Sequence, residues 1–390
     1  MKLGKYDDIK NVLIKFQQGY KERNLENVDS FIEELFLDMD DISVLGTAIG
    51  EIFLGKYDVR ELIEGDWKYW GDLNIDCENM RISTEGEVAW FSTSGYVKHV
   101  FEDSEERDNR YLEFIKNSFN NQELTCKQKL TFINWVLALT YHKRDESKRE
   151  YLWPLCLSGV LVKYEDNWKI KHLHFSMSKA NFPDERFENS NECIERYNEQ
   201  KASISRENVI SKDMEKFLND FENECMCKKQ ISNDLVGKYF GIESLPYVIG
   251  PDNQFYNGTD MIREFFNESN INNIAINMEQ TVVSKSGKIT WIMANGILKQ
   301  KFTEEELVEC CMEELGNLFE SNLASKEKLF SIQRSIAYVL KECSSGYNYT
   351  CPIRMTAVIL NKEDRLVFNS IHFSFPFYWL LEGKVDGIKL

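Results

Sequence analysis

The 390-residue chain is short of proline (6), histidine (5) and basic charge, and no two of its ten cysteines stand at C-x-x-C spacing. Few prolines and only 20 glycines exclude collagen-like or proline-rich material. No stretch approaches the roughly 20 apolar residues of a membrane-spanning helix, so no membrane is expected as a partner. Lysine and arginine number 47 against 64 acidic residues, a net charge of −17. That charge repels phosphate backbones, and no local basic patch offsets it, so nucleic acid is excluded as a partner. The opening places Asp7 and Asp8 where a secretion signal would carry its apolar core, so a cytoplasmic protein is expected. The cysteines then read as reduced thiols, not as disulfides or a zinc site. No cofactor and no metal is expected.

What is there fits a folded chain of more than one domain. Hydrophobic residues make up 43% and charged residues 28%, which excludes disorder, and the length predicts two domains. A long internal repeat supports this. Gly55-Lys56-Tyr57-Asp58-Val59-Arg60 recurs as Gly258-Thr259-Asp260-Met261-Ile262-Arg263, at an offset of 203. Glu87-Val88-Ala89-Trp90 recurs as Lys288-Ile289-Thr290-Trp291, at 201. Pro154 recurs as Pro352, Glu165-Asp166 as Glu363-Asp364 and His174-Phe175-Ser176 as His372-Phe373-Ser374, all at 198. Ordered matches with so little drift indicate a duplicated domain, and the period is too long for a solenoid unit.

Each copy reads alike. In the first, Ile9, Val12, Leu13 and Phe16 have helical spacing, and Asn27 to Leu37 predicts a second helix. Ile42 to Leu54 has hairpin character, and Asp58 is expected to cap a helix reaching about Trp70. Alternation over Ile75 to Ile82, a turn at Glu85-Gly86 and a strong run from Val88 to Phe101 predict strands. Helices are predicted over Tyr111 to Phe119 and Lys127 to Tyr141, with equivalents at Val308 to Phe319 and Lys326 to Leu340. Strands over Tyr151 to Tyr164 and Trp168 to Met177 close the copy. The predicted class is α+β: two cone-shaped domains, each with N-terminal helices packed on a curved antiparallel sheet and each with a helical-hairpin insertion. The expected division is a first domain at 1–182, a charged linker at 183–211 and a diverged second domain at 212–390.

The order of these motifs resembles the SnoaL-like branch of the nuclear transport factor 2-like superfamily. The resemblance rests on LGTAIGEIFLGKYDVREL, GEVAWFSTSG and EDNWKIKHLHFS in the first copy. In the second it rests on GPDNQFYNGTDMIREF, SGKITWIMANG, PIRMTAVILNKED and HFS. It implies a cone whose bent sheet wraps over helices and leaves a pocket, and domains that pair through their sheets. The helical insertions are not typical of the family. The fold hosts isomerases, cyclases, dehydratases, epoxide hydrolases and non-catalytic modules, so it does not decide function.

The resemblance places Arg354 in a strand whose arginine points into the pocket, and alternation puts Thr356 on the same face. A guanidinium there would hold a carboxylate in bidentate fashion; the alternative is an internal salt bridge. Cys156 is its counterpart, so the two pockets are expected to differ. His174 and His372 are equivalent, and His172 shares the strand face of His174. They read either as an acid, base or incipient metal site, or as sheet residues bonded to a neighbouring strand or lying at a sheet–sheet interface. Trp90 and Trp291 read as sheet-packing aromatics or pocket walls. Asp40 and Asp41, with Glu243 and Ser244 in the second copy, are weak candidates for acid chemistry. Cys225, Cys227, Cys310 and Cys311 are expected as half-buried thiols, because near neighbours on a helix do not share a face. Asn257-Gly258-Thr259 and Asn348-Tyr349-Thr350 fit the glycosylation pattern, which a cytoplasmic chain does not use.

Three functions fit. A pocket in one or both domains that binds a small molecule, whether anionic or not, stands first, without an assigned catalytic residue. An isomerase, cyclase or hydrolase acting on an apolar carbonyl compound stands second, and a non-catalytic interaction scaffold third. Pairing of the two domains within the chain is expected, which gives a monomer or weak dimer.

Overall fold

The computed structural model describes residues 6–38, 42–47, 51–102, 105–139, 148–177, 210–228, 230–241, 245–268, 274–278, 281–301, 303–345, 348–362, 365–376, 379–380 and 383–384. The first half begins with α1 (Asp7–Glu22) and α2 (Val28–Leu35), joined by a 3-10 turn at Leu25–Asn27. Then follow β1 (Ser43–Leu45), β2 (Ile52–Leu54), α3 (Gly55–Tyr69), β3 (Asp72–Ile75), β4 (Arg81–Glu85) and β5 (Val88–Glu102). The helical hairpin α4 (Glu105–Asn120) and α5 (Cys126–Leu139) precedes β6 (Lys148–Tyr164) and β7 (Asn167–Met177). The expected linker falls mostly on 178–209, outside the described residues.

The second half repeats this series. It runs α6 (Lys212–Phe221), a π turn (Glu222–Met226), α7 (Asn233–Tyr239), β8 (Tyr247–Ile249), β9 (Phe255–Asn257), α8 (Gly258–Glu268), β10 (Ile274–Ile276), β11 (Val282–Ser286) and β12 (Ile289–Lys301). The hairpin α9 (Glu304–Glu320) and α10 (Ser325–Ser345) leads to β13 (Asn348–Lys362) and β14 (Arg365–Ser374), and short β15 (Trp379–Leu380) and β16 (Gly383–Lys384) pair with each other. The chain is α+β with two seven-stranded sheets, as the sequence pattern leads one to expect.

The sheets have one topology. Strand order is β2-β1-β7-β6-β5-β3 in the first and β9-β8-β14-β13-β12-β10 in the second, with β4 on β5 and β11 on β12. Each is antiparallel except at one place, where β1 lies parallel to β7 and β8 to β14. Backbone details repeat too. Gly55 and Gly258 stand at the head of α3 and α8 with φ of 79° and 76°, a left-handed geometry that favours glycine. Gly86 and Gly287 both turn a hairpin at φ 59°. Helix α3 starts three residues before Asp58, whose carboxylate instead accepts the Leu54 N–H at 3.1 Å.

One face of each sheet is covered by its own helices. Phe16 of α1 meets Tyr20, Phe31, Phe36 and Phe175 at centroid distances of 5.2–6.2 Å. In the second half Phe221 is surrounded by Tyr239, Phe240, Phe266 and Phe368 at 4.7–6.1 Å. These aromatic side chains fill the space between helices and sheet. Residues of opposite parity point the other way, because strand side chains alternate. Thus Phe91 faces α1 while Trp90 faces the other sheet.

Among the described residues, no helix is long and apolar enough to cross a membrane.

Candidate functional site

The residues that carry polar chemistry meet between the two sheets. A bulge in each sheet puts them there. Lys171 is the extra residue opposite Val160/Leu161, and Asn369 the extra residue opposite Val358/Ile359, an offset again of 198. Each bulge shifts the alternation by one. It leaves Ile170 and Phe368 against their helices but turns His172, His174, Asn369, Ser370 and His372 toward the opposite sheet.

An apolar cluster closes one part of this layer. Val88, Trp90 and Val160 pack against Ile289, Trp291, Val358, Leu360 and Val367. The Trp90 Nε1–H donates to Asn369 Oδ1 at 2.6 Å, across the layer. Leu45 packs on Met293, and Cys156 on Tyr247 and Ile249.

The histidines occupy the middle. The rings of His174 and His372 stack with centroids 4.0 Å apart. His174 Nε2 reaches Ser374 Oγ at 2.7 Å, and His372 Nε2 reaches Ser176 Oγ at 2.8 Å, a reciprocal pair. Ser176 Oγ donates its proton to Asn253 Oδ1 at 2.7 Å. It therefore accepts from His372 Nε2–H, and His372 Nδ1 accepts from Ser158 Oγ at 2.8 Å. A neutral His372 satisfies this chain in one tautomer.

The reciprocity fails at one point. Thr356 is the counterpart of Ser158, but its Oγ1 bonds His172 Nε2 at 2.9 Å, while His172 Nδ1 bonds Ser43 Oγ at 2.8 Å. His172 has Ser370 as its own counterpart. With Thr356 taken, His174 Nδ1 is buried without a hydrogen-bond partner.

Burial holds all three imidazoles neutral. It pushes His172 and His372 down to about 3, and His174 well below its usual range, where His372, His172 and Arg354 add repulsion. A base at such values is too weak to take a proton near neutral pH. Among the described residues no group of three or more His, Cys, Asp or Glu could hold a metal.

Arg354 is 2% exposed and donates from Nη1 to the Gly46 carbonyl of the first half at 2.7 Å. Burial lowers its pKa to about 10, against the field of Glu51, which raises it. Its counterpart Cys156 donates to the Thr93 carbonyl at 3.4 Å, and burial pushes its thiol up to about 12. Arg81 extends the contact, donating to Asn257 at 2.6 Å and lying 4.4 Å over the Tyr247 ring. A cavity of ≈ 10 Å³ lies between the sheets, lined by Ser158, Tyr247, Thr356 and His372 among others. That is on the scale of one water molecule.

The structure thus brings all eight ligand candidates, Arg354, Thr356, His372, Trp291, Cys156, His172, His174 and Trp90, into the layer between the sheets. Asp40, Asp41, Glu243 and Ser244 lie outside the described residues. Cys225 is buried and Cys227 exposed, Cys311 is buried and Cys310 half-buried, and all four are free thiols. Sequence reasoning missed Asn369, Ser158, Asn253 and Arg81. For Asn369 a signal existed: it adds a residue to an otherwise alternating strand.

Residues 9–114 match the family model described as a SnoaL-like domain. A nuclear transport factor 2-like superfamily protein from Salmonella enterica serovar Typhimurium is 12% identical over 45% of this chain and 91% of its own, with a TM-score of 0.29. A protein with a cystatin-like fold from Caulobacter vibrioides is 11% identical over 44% of this chain and 89% of its own, at 0.28. A further cystatin-like protein, from Nostoc punctiforme, is 11% identical over 46% and 97%, at 0.27. No curated protein matches. The match to the SnoaL-like model thus lies within the first half, over residues 9–114, and the second half repeats the sheet of the first strand for strand.

Proposed function

We propose that this chain is a non-catalytic interaction scaffold, in which the two SnoaL-like domains pair sheet to sheet within one polypeptide. The observation that carries this reading is the layer between the sheets. Its histidines are neutral, and five of their six ring nitrogens are bonded to Ser374, Ser176, Ser158, Thr356 and Ser43, the first two as a reciprocal pair. Chemistry would need a base of suitable pKa beside a space for substrate. The groups with acid–base potential instead hold two halves together. The same geometry favours scaffolding over a small-molecule pocket at Arg354, because its buried guanidinium donates to the Gly46 carbonyl of the first half.

Pairing also sets two helical hairpins side by side. Helices α5 and α10 pack together, with Thr131 Oγ1 2.7 Å from Ser344 Oγ and Lys341 Nζ 4.5 Å over the Trp135 ring. The result is a layer ordered α4-α5-α10-α9, a surface that neither domain presents alone.

Light scattering of the full chain tests the pairing. A particle of 45.8 kDa is expected. A stable particle of twice that mass, reduced to one chain by Trp90→Arg, would mean that the sheets pair between chains and would overturn the reading.

A further inference from the structure

The helices of the four-helix layer pack along their seams: Leu307 and Cys311 of α9 lie against Val339 of α10, and Trp135 and Ala138 of α5 are buried. A second apolar face is exposed. On α9 it carries Val308, Met312 and Phe319, and on α10 Leu329, Ile336 and Leu340. Spacings of 4 and 7 residues put each set on one stripe. Met312 and Phe319 are 63% and 61% exposed, and what distinguishes them from a lone exposed apolar side chain is that they share a stripe.

The handedness of the helices places the two stripes on the same side of the layer. In α10 the residues facing α9 and those facing α5 lie to either side of the open stripe. In α9 the open stripe lies about a quarter-turn from Leu307 and Cys311, and α9 runs antiparallel to α10. The stripes therefore form the floor of one groove.

Charge marks the groove's outer wall. Helix α9 has seven glutamates and no basic residue. Glu305, Glu309, Glu313 and Glu320 are exposed and form a row beyond the apolar stripe, away from α10. Low-charge apolar partners gain nothing from such a row, and a second copy would bring another −17 to it. A basic one is steered to it and paired by it.

We propose that this groove binds a basic amphipathic helix of another protein. Leucine-like side chains at i, i+3 or i+4 and i+7 would rest on the α9–α10 floor, and lysines or arginines would face Glu305, Glu309, Glu313 and Glu320. This rests on the scaffold reading and names the partner's chemistry.

The test uses the full chain and a fluorescent synthetic helix of about 18 residues, five turns, built from leucine and lysine at amphipathic spacing. Anisotropy is read at about 0.15 M salt, where screening limits unspecific attraction. Saturable binding is expected. It should weaken at least about tenfold, a step of about 1.4 kcal/mol, when the same peptide is scrambled. The same loss is expected from Glu309→Lys with Glu313→Lys, and separately from Phe319→Ser. Tyr57→Ser, which removes an exposed aromatic elsewhere, should change nothing. Unchanged circular dichroism and melting temperature show that the variants fold. Equal binding of the scrambled peptide, or indifference to the α9 variants, overturns the proposal. So does a doubled mass that Phe319→Ser abolishes, since a second copy would then cover the groove. A doubled mass abolished by Trp90→Arg but kept by Phe319→Ser would strike the sheet pairing and leave the groove standing.

Discussion

His174 and His372 hold the same place in the two halves and stack ring on ring, 4.0 Å apart, between the sheets. Each reaches past the other to a serine two residues beyond its neighbour, Ser374 and Ser176. The contact stands where an axis relating the halves would pass.

Acid should loosen this contact. The folded pKa values of His172 and His372 are about 3, and His174 is also strongly lowered, against about 6.5 in an unfolded chain. Below pH 6.5 the unfolded chain takes up protons that the folded one refuses. Stability is thus complete above that value and falls as the pH drops toward 3. Each histidine contributes at most about 1.4 kcal/mol per pH unit. Arg354 faces the same layer and adds repulsion on His174, while Glu51 opposes Arg354. Urea unfolding at pH 7.5 and 5.5 should show the loss, and His372→Asn should reduce the slope. A flat profile would count against neutral imidazoles in the layer.

Trp90→Phe keeps the aromatic packing but removes the Nε1–H that Asn369 Oδ1 accepts across the layer. A loss of about 1–3 kcal/mol is expected. Trp90→Phe combined with Asn369→Leu should recover part of it, and a double-mutant cycle by chemical denaturation reads the coupling.

Arg354→Leu should weaken the hold on the Gly46 carbonyl without any ligand being added. Faster hydrogen exchange over 42–47 in the first half is expected, together with a stability loss of about 1–3 kcal/mol. Arg354→Lys should restore little, since a flexible ammonium does not reproduce the guanidinium's fixed direction. Unchanged exchange at 42–47 would remove the structural role given to this arginine.

Glycine substitutions should divide by backbone geometry. Gly55→Ala and Gly258→Ala force a side chain into a left-handed conformation, at roughly 1–2 kcal/mol each. Gly65→Ala and Gly316→Ala meet nothing within 4 Å on helices α3 and α9, and should stabilise by about 0.5–1 kcal/mol. Melting temperatures compare the four directly.

Much of the fold was legible in the chain. The offsets of 203, 201 and 198 correspond to Gly55/Gly258, Gly86/Gly287 and the bulges at Lys171 and Asn369. Alternation put His172 and His174 on one face, and Arg354 and Thr356 on another. What periodicity cannot say is which surface a face meets. A strand's outward side reads alike whether it lines a cavity or lies on a second sheet. Asn369 and Asn253 escaped because their partners, Trp90 and Ser176, lie 279 and 77 residues away. The open stripe of α9 escaped because Met312 and Phe319 fit a core equally well on spacing alone.

In an isologous dimer of separate chains, any substitution lands on both sides of the axis at once and must suit both. Here it lands once. Thr356 can turn from His174 to His172, and Arg354 can stand opposite a half whose own counterpart is Cys156, without either change being copied. The duplication therefore frees the contact from self-complementarity, and each half is open to acquire a surface of its own.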